Sequence, residues 1–318
     1  MYKIFDLLDG SRTTPEYVEQ ALAHGVTAIH ITVNNFSTVN PLPTLRDSLS
    51  ELAAVRAHYH RMRDLVHVIE TADDFDTAER SGKLGVVFGY QNVPDVGRKL
   101  QLLELFHALG VRVIQIAHNV RNIYADGCAE PNDAGLSSLG LELVSELNRL
   151  GIVIDLSHTG DRSAIEAARA SKHPVTATHA NCLAVCNNVR NKGDAALQAI
   201  RDSGGVLGIC YLPPIVRQGV KPSHADVIAH VQHAVRLMGA QHVAIGTDFI
   251  LGQPAERYQE FMKKPEVYGT WPWRYPVEDL ADQQRFLEAL LASGLSEADV
   301  SAIARDNALR VFKTVLAS

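Results

Sequence analysis

The feature of this chain that most limits its possible folds is a series of short hydrophobic runs separated by amphipathic stretches. Each run is strand-sized and nearly continuous, with little of the polar alternation that a strand needs when one face meets solvent. Such runs are typical of parallel strands covered by helices on both faces. The runs are residues 3–8, 26–33, 66–70, 84–90, 111–117, 152–156, 175–178, 206–211 and 243–246.

The stretches between the runs have helical periodicity. Leu139, Leu143 and Leu147 recur at helical spacing, and Gly151 follows where that helix is predicted to end. Repeated strand–helix units in a chain of 318 residues predict an α/β fold, a (β/α)8 TIM-type barrel in a single domain spanning residues 1–318. A doubly wound sheet is the alternative, but the first strand–helix turn, LLDGSRTTPE, lacks the GxGxxG pattern of dinucleotide-binding folds.

Composition narrows the range of partners. The net charge is −6, so we expect neither nucleic acid nor an anionic membrane as a partner. No apolar run approaches the length of a membrane helix, and the first residues, MYKIFDLLDG, show no signal-peptide pattern. The four cysteines are scattered, which favours reduced thiols and a cytoplasmic protein. Fourteen histidines, about twice the usual number for this length, indicate metal binding or acid–base chemistry.

Polar residues follow five of the predicted strands at the point where each ends. They are Gln91 and Asn92, His118 and Asn119, Ser157 and His158, His179, and Thr247 and Asp248. The carboxyl ends of barrel strands carry the active site, so these side chains are expected to share one site, under the long irregular segment 252–276. Two imidazoles and a carboxylate suit zinc. His30 lies inside the second strand, and the sequence leaves open whether it faces the barrel interior.

Several longer segments carry a family resemblance. They are IQIAHNVRNIYADG (114–127), GLSSLGLELVSELNRLGIVIDLS (135–157), PVTATHANCLAVCNNVRNKGD (174–194), AIGTDF (244–249) and SEADVSAIARDNALRVFKTV (296–315). In order and spacing they resemble the renal (membrane) dipeptidase family, the zinc dipeptidases of peptidase family M19. The resemblance covers most of the chain beyond about Gly82. It implies a (β/α)8 barrel, a two-zinc centre, a small-molecule substrate and, by analogy with other members, a possible homodimer.

The resemblance also assigns roles by position within these motifs. Two metal-binding histidines of the family fall on His158 and His179, and the aspartate of its GxDF motif falls on Asp248. His118 corresponds to the histidine that contacts the substrate near the scissile carbonyl. Arg190 corresponds to the arginine that holds the substrate carboxylate, and its position in a turn predicts little packing. Tyr211, at the end of the eighth strand, is predicted as a further substrate-binding residue.

Three metal ligands of the family are replaced in this chain. Where the family has DGHxD, residues 9–13 are DGSRT, so that Ser11 stands for the histidine and Thr13 for the aspartate. Gln91 stands for the glutamate that bridges the two ions, and a neutral amide cannot bridge two dications as a carboxylate does. We therefore expect at most one zinc ion, with these contacts: His158, His179, Gln91 and Asp248.

Two functions of different classes remain open. The first is a metallohydrolase that cleaves an amide or peptide bond in a small carboxylate-bearing substrate, with Asp248 as the catalytic base and His118 polarising the carbonyl. The second is a metal-poor or metal-free family member whose pocket binds or transforms an amino-acid-like molecule without peptide hydrolysis. His118 and Arg190 favour the first, whereas the three replaced ligands favour the second.

Overall fold

The computed structural model describes residues 1–33, 44–254 and 273–317. The strands of this part form one parallel sheet that closes into an eight-stranded barrel with interleaved helices, which confirms the predicted (β/α)8 fold. The strands are β1 (Ile4–Asp6), β2 (Val26–Thr32), β3 (Val66–Val68), β4 (Leu84–Tyr90), β5 (Val111–Gln115), β6 (Val153–Asp155), β7 (Thr176–Ala180), β8 (Val206–Ile209) and β9 (Val243–Ile245). Most of the irregular segment predicted at 252–276 lies outside the described residues.

The barrel closes between β2 and β4. These strands pair in parallel from Ala28 opposite Gly85 to Thr32 opposite Gly89. β4 also pairs with β3 along its first half and with β5 along its second half, so β3 is a short additional strand beside the barrel. The other strands follow one another around the barrel in chain order, with β1 between β2 and β9.

Helices cover the barrel, and side-chain caps fix where several of them begin. Thr14 accepts a hydrogen bond from the Tyr17 backbone, and Ser137 accepts one from the Gly140 backbone. The helices are α1 (Pro15–Ala23), α2 (Leu45–Arg61), α3 (Asp74–Arg80), α4 (Leu103–Ala108), α5 (Ser138–Arg149), α6 (Asp161–Ala170), α7 (Asp194–Asp202), α8 (Pro213–Val216), α9 (His224–Met238), α10 (Leu280–Ala292), α11 (Glu297–Ser301) and α12 (Asn307–Leu316). None of the described helices is long and apolar enough to cross a membrane.

The barrel interior changes from apolar to polar towards the carboxyl ends of the strands. At the opposite end, Phe5, Val113 and Val153 belong to one apolar cluster with Phe312 of α12. Side chains two residues apart on a strand share a face, so the next inward positions are polar. They include His30 on β2, Gln115 on β5 and Asp155 on β6, all of them buried. The four cysteines are free, as expected.

Candidate active site

Three histidines from successive strand ends meet at the carboxyl end of the barrel. The rings of His118 and His158 stack with their centroids 4.0 Å apart and an interplanar angle of 20°. Nε2 of His158 lies 2.9 Å from Nε2 of His179, and all three side chains are buried. The structure therefore brings together the three histidines that the strand-end pattern singled out.

In His158 and His179, the hydrogen bond made by Nδ1 determines which ring nitrogen carries the proton. Nδ1 of His158 is 2.7 Å from Oδ1 of Asn119, and Nδ1 of His179 is 2.7 Å from Oγ1 of Thr178. The Thr178 hydroxyl itself donates to Oδ2 of Asp155 at 2.9 Å, so its oxygen accepts from His179. Both Nδ1 atoms are therefore donors, and each Nε2 directs a lone pair towards the other ring. Acceptors in this position orient the histidines of metal sites.

Asn119 and Thr178 were not assigned a role from the sequence. Each is adjacent to a site histidine in the chain, which was the available signal. Asn119, however, bonds to His158, which is 39 positions away, and no spacing rule connects those two residues. Asn119 also has a left-handed backbone, with φ at 62°. Such a conformation in a residue other than glycine is uncommon and is frequent at functional sites.

Burial keeps these histidines neutral. It is the largest cause that lowers the pKa of His118 to about 3, and the positive charge of Arg190 lowers it further. Burial and the same arginine also hold the pKa of His158 and that of His179 well below the usual range. Neutral imidazole is the form of histidine that binds a metal ion.

Gln91 is the third predicted metal contact that reaches this centre. Its Nε2 lies 3.2 Å from Nε2 of His179. Its backbone carbonyl accepts a hydrogen bond of 2.9 Å from the Gln115 side chain, which fixes the end of β4 against β5. An amide and two imidazoles are neutral donors, so this group supplies no negative charge to a cation.

Asp248 lies at the same end of the barrel, just after β9, but on the side of β1. Its backbone is left-handed with φ at 55°, and its amide donates to the Leu8 carbonyl at 2.9 Å. Burial raises the pKa of Asp248 to about 7, against the lowering effect of Arg190. In the described part of the chain its carboxylate makes no hydrogen bond to a site histidine. Its predicted roles as metal contact and base remain predictions.

Arg190 is buried, contrary to the expectation from the sequence. It is 1% exposed, whereas its position in a turn predicted little packing. Nη1 donates to the Ser157 carbonyl at 2.7 Å and Nη2 donates to the His179 carbonyl at 3.0 Å. The side chain therefore ties the ends of β6 and β7 together within the wall of the site. Lys192 is a second buried cation there, and its Nζ donates to the Thr159 carbonyl.

Tyr211 is not brought to the histidines. Its ring packs at 5.3 Å from Phe286 of α10 and at 5.7 Å from Phe249. The two-residue period of β8 places Tyr211 on the same outward face as Ile209, towards the helices. This placement gives no support to the predicted substrate-binding role.

Ser11 and Thr13, which replace two metal ligands of the family, both make hydrogen bonds within the protein. The Ser11 hydroxyl accepts from the Leu251 amide at 3.1 Å, and the Thr13 hydroxyl accepts from the Tyr59 hydroxyl at 3.0 Å. Both line a cavity of about 620 Å³ between the end of β1 and α2. The two hydroxyl groups that border this cavity are therefore already bonded within the protein.

The histidines at the strand ends do not by themselves complete a metal site. Within residues 1–33, 44–254 and 273–317, no three side chains of His, Cys, Asp or Glu are arranged to hold a metal. The convergent lone pairs of His158 and His179 nevertheless suit a single ion of the type that binds nitrogen. The buried charges of Arg190 and Lys192 oppose the binding of a second dication.

Comparison with known proteins decides the family. A sequence profile of the membrane dipeptidases, peptidase family M19, matches residues 11–267. The chain belongs to the membrane dipeptidase family. This confirms the resemblance drawn from the motifs and the prediction of a dipeptidase-like protein.

Individual relatives agree with this assignment. The chain is 28% identical to dipeptidase tcpJ of Claviceps purpurea (89% of this chain, 63% of that protein) and 25% identical to dipeptidase 3 of Homo sapiens (99% and 66%). The chain spans about three fifths of the length of several curated relatives that it matches.

Solved structures cover the whole chain. An amidohydrolase from Pseudomonas aeruginosa superposes with a TM-score of 0.89 at 27% identity, covering 100% of this chain and 97% of that one. A dipeptidase described as a metallopeptidase of family M19 superposes at 0.80 with 22% identity, covering 100% and 99%. The second likeness supports the fold alone. Membership of a metallopeptidase family is consistent with a metal ion at this site.

Proposed function

We propose that this protein is a dipeptidase-like hydrolase that cleaves an amide or peptide bond in a small carboxylate-bearing substrate with a single zinc ion. The observation that carries the proposal is the pair of Nε2 lone pairs that His158 and His179 direct towards one another. Both histidines would hold the ion, with Gln91 and Asp248 as further contacts. Zinc bound there would supply Lewis acidity and a water of lowered pKa.

The protein's own residues supply binding and proton transfer. Arg190 has five N–H donors and uses two in its bonds to the Ser157 and His179 carbonyls, which leaves donors for a substrate carboxylate. His118 is neutral and buried beside His158, where a ring N–H would bond the carbonyl oxygen of the substrate. Asp248 would take the proton of the attacking water, because it is the carboxylate that ends β9.

A second candidate function rests on the charges of the site. Three ligands of the family are replaced by neutral residues, and Arg190 and Lys192 add buried positive charge. A centre of this kind favours an anionic ligand over a dication. It would suit a metal-free family member that binds or transforms an amino-acid-like molecule without hydrolysing a peptide.

Metal analysis combined with a hydrolysis assay separates the two candidates. Protein purified without added metal should contain at most one zinc ion per chain and should hydrolyse simple dipeptides in a chelator-sensitive way. His179→Ala should remove both properties. His242→Ala, on a half-buried histidine at the other end of the barrel, is the matched control and should keep both. Hydrolysis by fully metal-free protein contradicts the zinc assignment, and a folded, metal-free, inactive protein favours the second candidate.

We further propose a cytoplasmic location and a homodimer. Four free thiols support the first, because the cytoplasm keeps cysteines reduced. Cell fractionation tests the location, and light scattering during size-exclusion chromatography tests the dimer.

A further inference from the structure

Lys192 is a buried cation beside the active site to which the proposed hydrolysis gives no role. Its side chain is 1% exposed, and its Nζ donates to the Thr159 carbonyl. An ammonium group has three donors, but in the described part of the chain Lys192 has this one acceptor and no ion pair. Lysine is almost never fully buried unless its charge is paired.

The buried charge of Lys192 is unfavourable for the stability of the fold. Taking an ammonium group out of water costs free energy that a single neutral carbonyl does not return. Burial is accordingly the largest cause that lowers the pKa of Lys192, and the negative charge of Asp161 opposes it. A buried side chain that the fold does not need for its stability points to a role in the neighbouring site.

The contact of Lys192 lies in the turn that carries His158. This turn, residues 157–159, lies between β6 and α6, and each of its three carbonyl groups accepts a hydrogen bond from another segment. The carbonyl before His158 accepts from Arg190 at 2.7 Å, and the carbonyl after it accepts from Lys192. The His158 carbonyl itself accepts from the Cys128 amide at 2.9 Å. Two buried cations therefore hold the backbone on either side of His158.

The backbone of Lys192 is fixed beside the end of β7. Its amide donates to the Asn181 carbonyl at 2.8 Å, and its carbonyl accepts from the Leu183 amide at 2.9 Å. Asn181 directly follows β7, the strand that carries His179. The four-carbon stem of Lys192 therefore joins the strand of His179 to the turn of His158.

The position of this turn determines the contacts of the His158 ring. Nε2 of His158 lies 2.9 Å from Nε2 of His179, and its Nδ1 lies 2.7 Å from Oδ1 of Asn119. Side chains occupy a small set of rotamers, so a displaced backbone displaces the ring with it. A shift of about 1 Å at a catalytic site can lower the rate by about 10².

We propose that Lys192 is a positioning residue of the active site: through the Thr159 carbonyl, its ammonium group holds the turn that places the His158 ring against His179. The inference rests on the proposed function only in that His158 belongs to its site. The contact is made through the backbone of Thr159, whose buried hydroxyl has no hydrogen-bond partner in the described residues.

The kinetics of two variants of the full-length protein test this role. Lys192→Met keeps the length of the side chain and removes the donor, whereas Lys192→Gln removes the charge and keeps an N–H donor. In Lys192→Met, kcat for a dipeptide should fall by at least about tenfold, because loss of a partner that orients a metal-binding histidine costs about 10–100-fold. KM should change less, and Lys192→Gln should recover part of kcat. Lys172→Met, at an exposed lysine, is the control. A wild-type kcat in Lys192→Met overturns the proposal.

The ring nitrogens of the histidines give a readout that a purely structural role would not produce. With ¹⁵N-labelled histidine, Lys192→Met should shift the ring resonances of His158 and His179 and leave those of His242, at the other end of the barrel, unchanged. Equal shifts at all three, or a lower kcat with unshifted His158, overturn the proposal. If wild-type protein hydrolyses no dipeptide and His158 shifts as expected, the proposed function fails and this inference stands.

A second measurement needs no variant to fold. Among the lysines that the structure describes, Lys192 is the one that is buried. In wild-type protein with ¹⁵N-labelled lysine, one ammonium signal should therefore exchange slowly with water. Absence of a slowly exchanging ammonium signal overturns the contact with Thr159 and the proposal with it.

Discussion

Asp248 is the residue on which the proposed proton transfer depends. Its left-handed backbone, with φ at 55°, is a conformation that aspartate tolerates better than most residues. Asp248→Asn preserves the shape and removes the charge, so turnover should fall by about 10²–10⁴. Steady-state kinetics on a dipeptide that the wild type cleaves would measure this. Asp306→Asn, at an exposed position, is the control. Equal turnover in Asp248→Asn would show that another group is the base.

Arg190 should matter for stability as well as for ligand binding. Arg190→Ala removes the donors of two buried carbonyls, those of Ser157 and His179, and each buried group left without a partner costs about 1–3 kcal/mol. The free energy of unfolding should therefore fall by about 2–6 kcal/mol, measured by urea denaturation. Arg169→Ala, on an exposed face of α6, should change it by less than about 0.5 kcal/mol. A similarly small effect at Arg190 would be inconsistent with its observed bonds.

At the scale of elements, the segment between β5 and α5 carries His118 and Asn119, and a carboxylate holds its middle in place. Asp126 accepts from the Arg121 guanidinium and, at 2.6 Å, from the Ala134 amide. The hydrogen bond from Arg121 is the largest cause that lowers the pKa of Asp126. Because the folded pKa lies below the unfolded one, this group stabilises the fold above about pH 4 and stops doing so as pH falls through the folded value.

The expected outcome is a local loosening in acid. Hydrogen exchange at the Ala134 amide, corrected for its intrinsic pH dependence, should become faster as pH falls below about 4. In Asp126→Asn the exchange should already be fast at neutral pH and should lose this dependence. Arg162→Ala, which affects a neighbouring exposed ion pair with Glu166, serves as the control. Exchange that is equally slow in acid would show that Asp126 does not hold this segment.

The elements themselves were largely predictable, while the ends of the strands were not. Each predicted run overlaps one observed strand, because a covered parallel strand needs apolar residues on both faces. The run 111–117 ends as a strand at Gln115, and the chain then turns towards His118. Tyr211 ends a predicted run, and its two-residue spacing from Ile209 indicates the outward face of the barrel.

For the whole molecule, the sequence predicted the barrel and the meeting of three histidines but not the contacts that set their chemistry. Strand ends of a barrel share one rim whatever the details of packing, so the convergence follows from topology. The bond between Asn119 and His158 and the burial of Arg190 depend on how side chains from distant parts of the chain pack. Neither periodicity nor motif spacing carries that information.

The last prediction concerns how many metal ions the whole site can hold. The three replacements, Ser11, Thr13 and Gln91, leave too little negative charge for two dications beside buried Arg190. Wild-type protein should therefore hold at most one tightly bound ion. The triple variant Ser11→His, Thr13→Asp and Gln91→Glu restores the family pattern and adds two carboxylates, so it should hold more metal.

The restoration should also reduce stability in the absence of metal. The Leu251 amide and the Tyr59 hydroxyl lose the partners that Ser11 and Thr13 now provide, at about 1–3 kcal/mol for each group left buried and unpaired. Zinc should restore part of the lost stability, because an ion that binds only the folded state raises the melting temperature. Metal analysis and thermal unfolding with and without zinc would measure both effects. The single variant Gln91→Glu is the control, because it leaves the bonds of Ser11 and Thr13 intact. Two fully occupied ions about 3.5–4 Å apart in the wild type would show that these replacements do not limit metal binding.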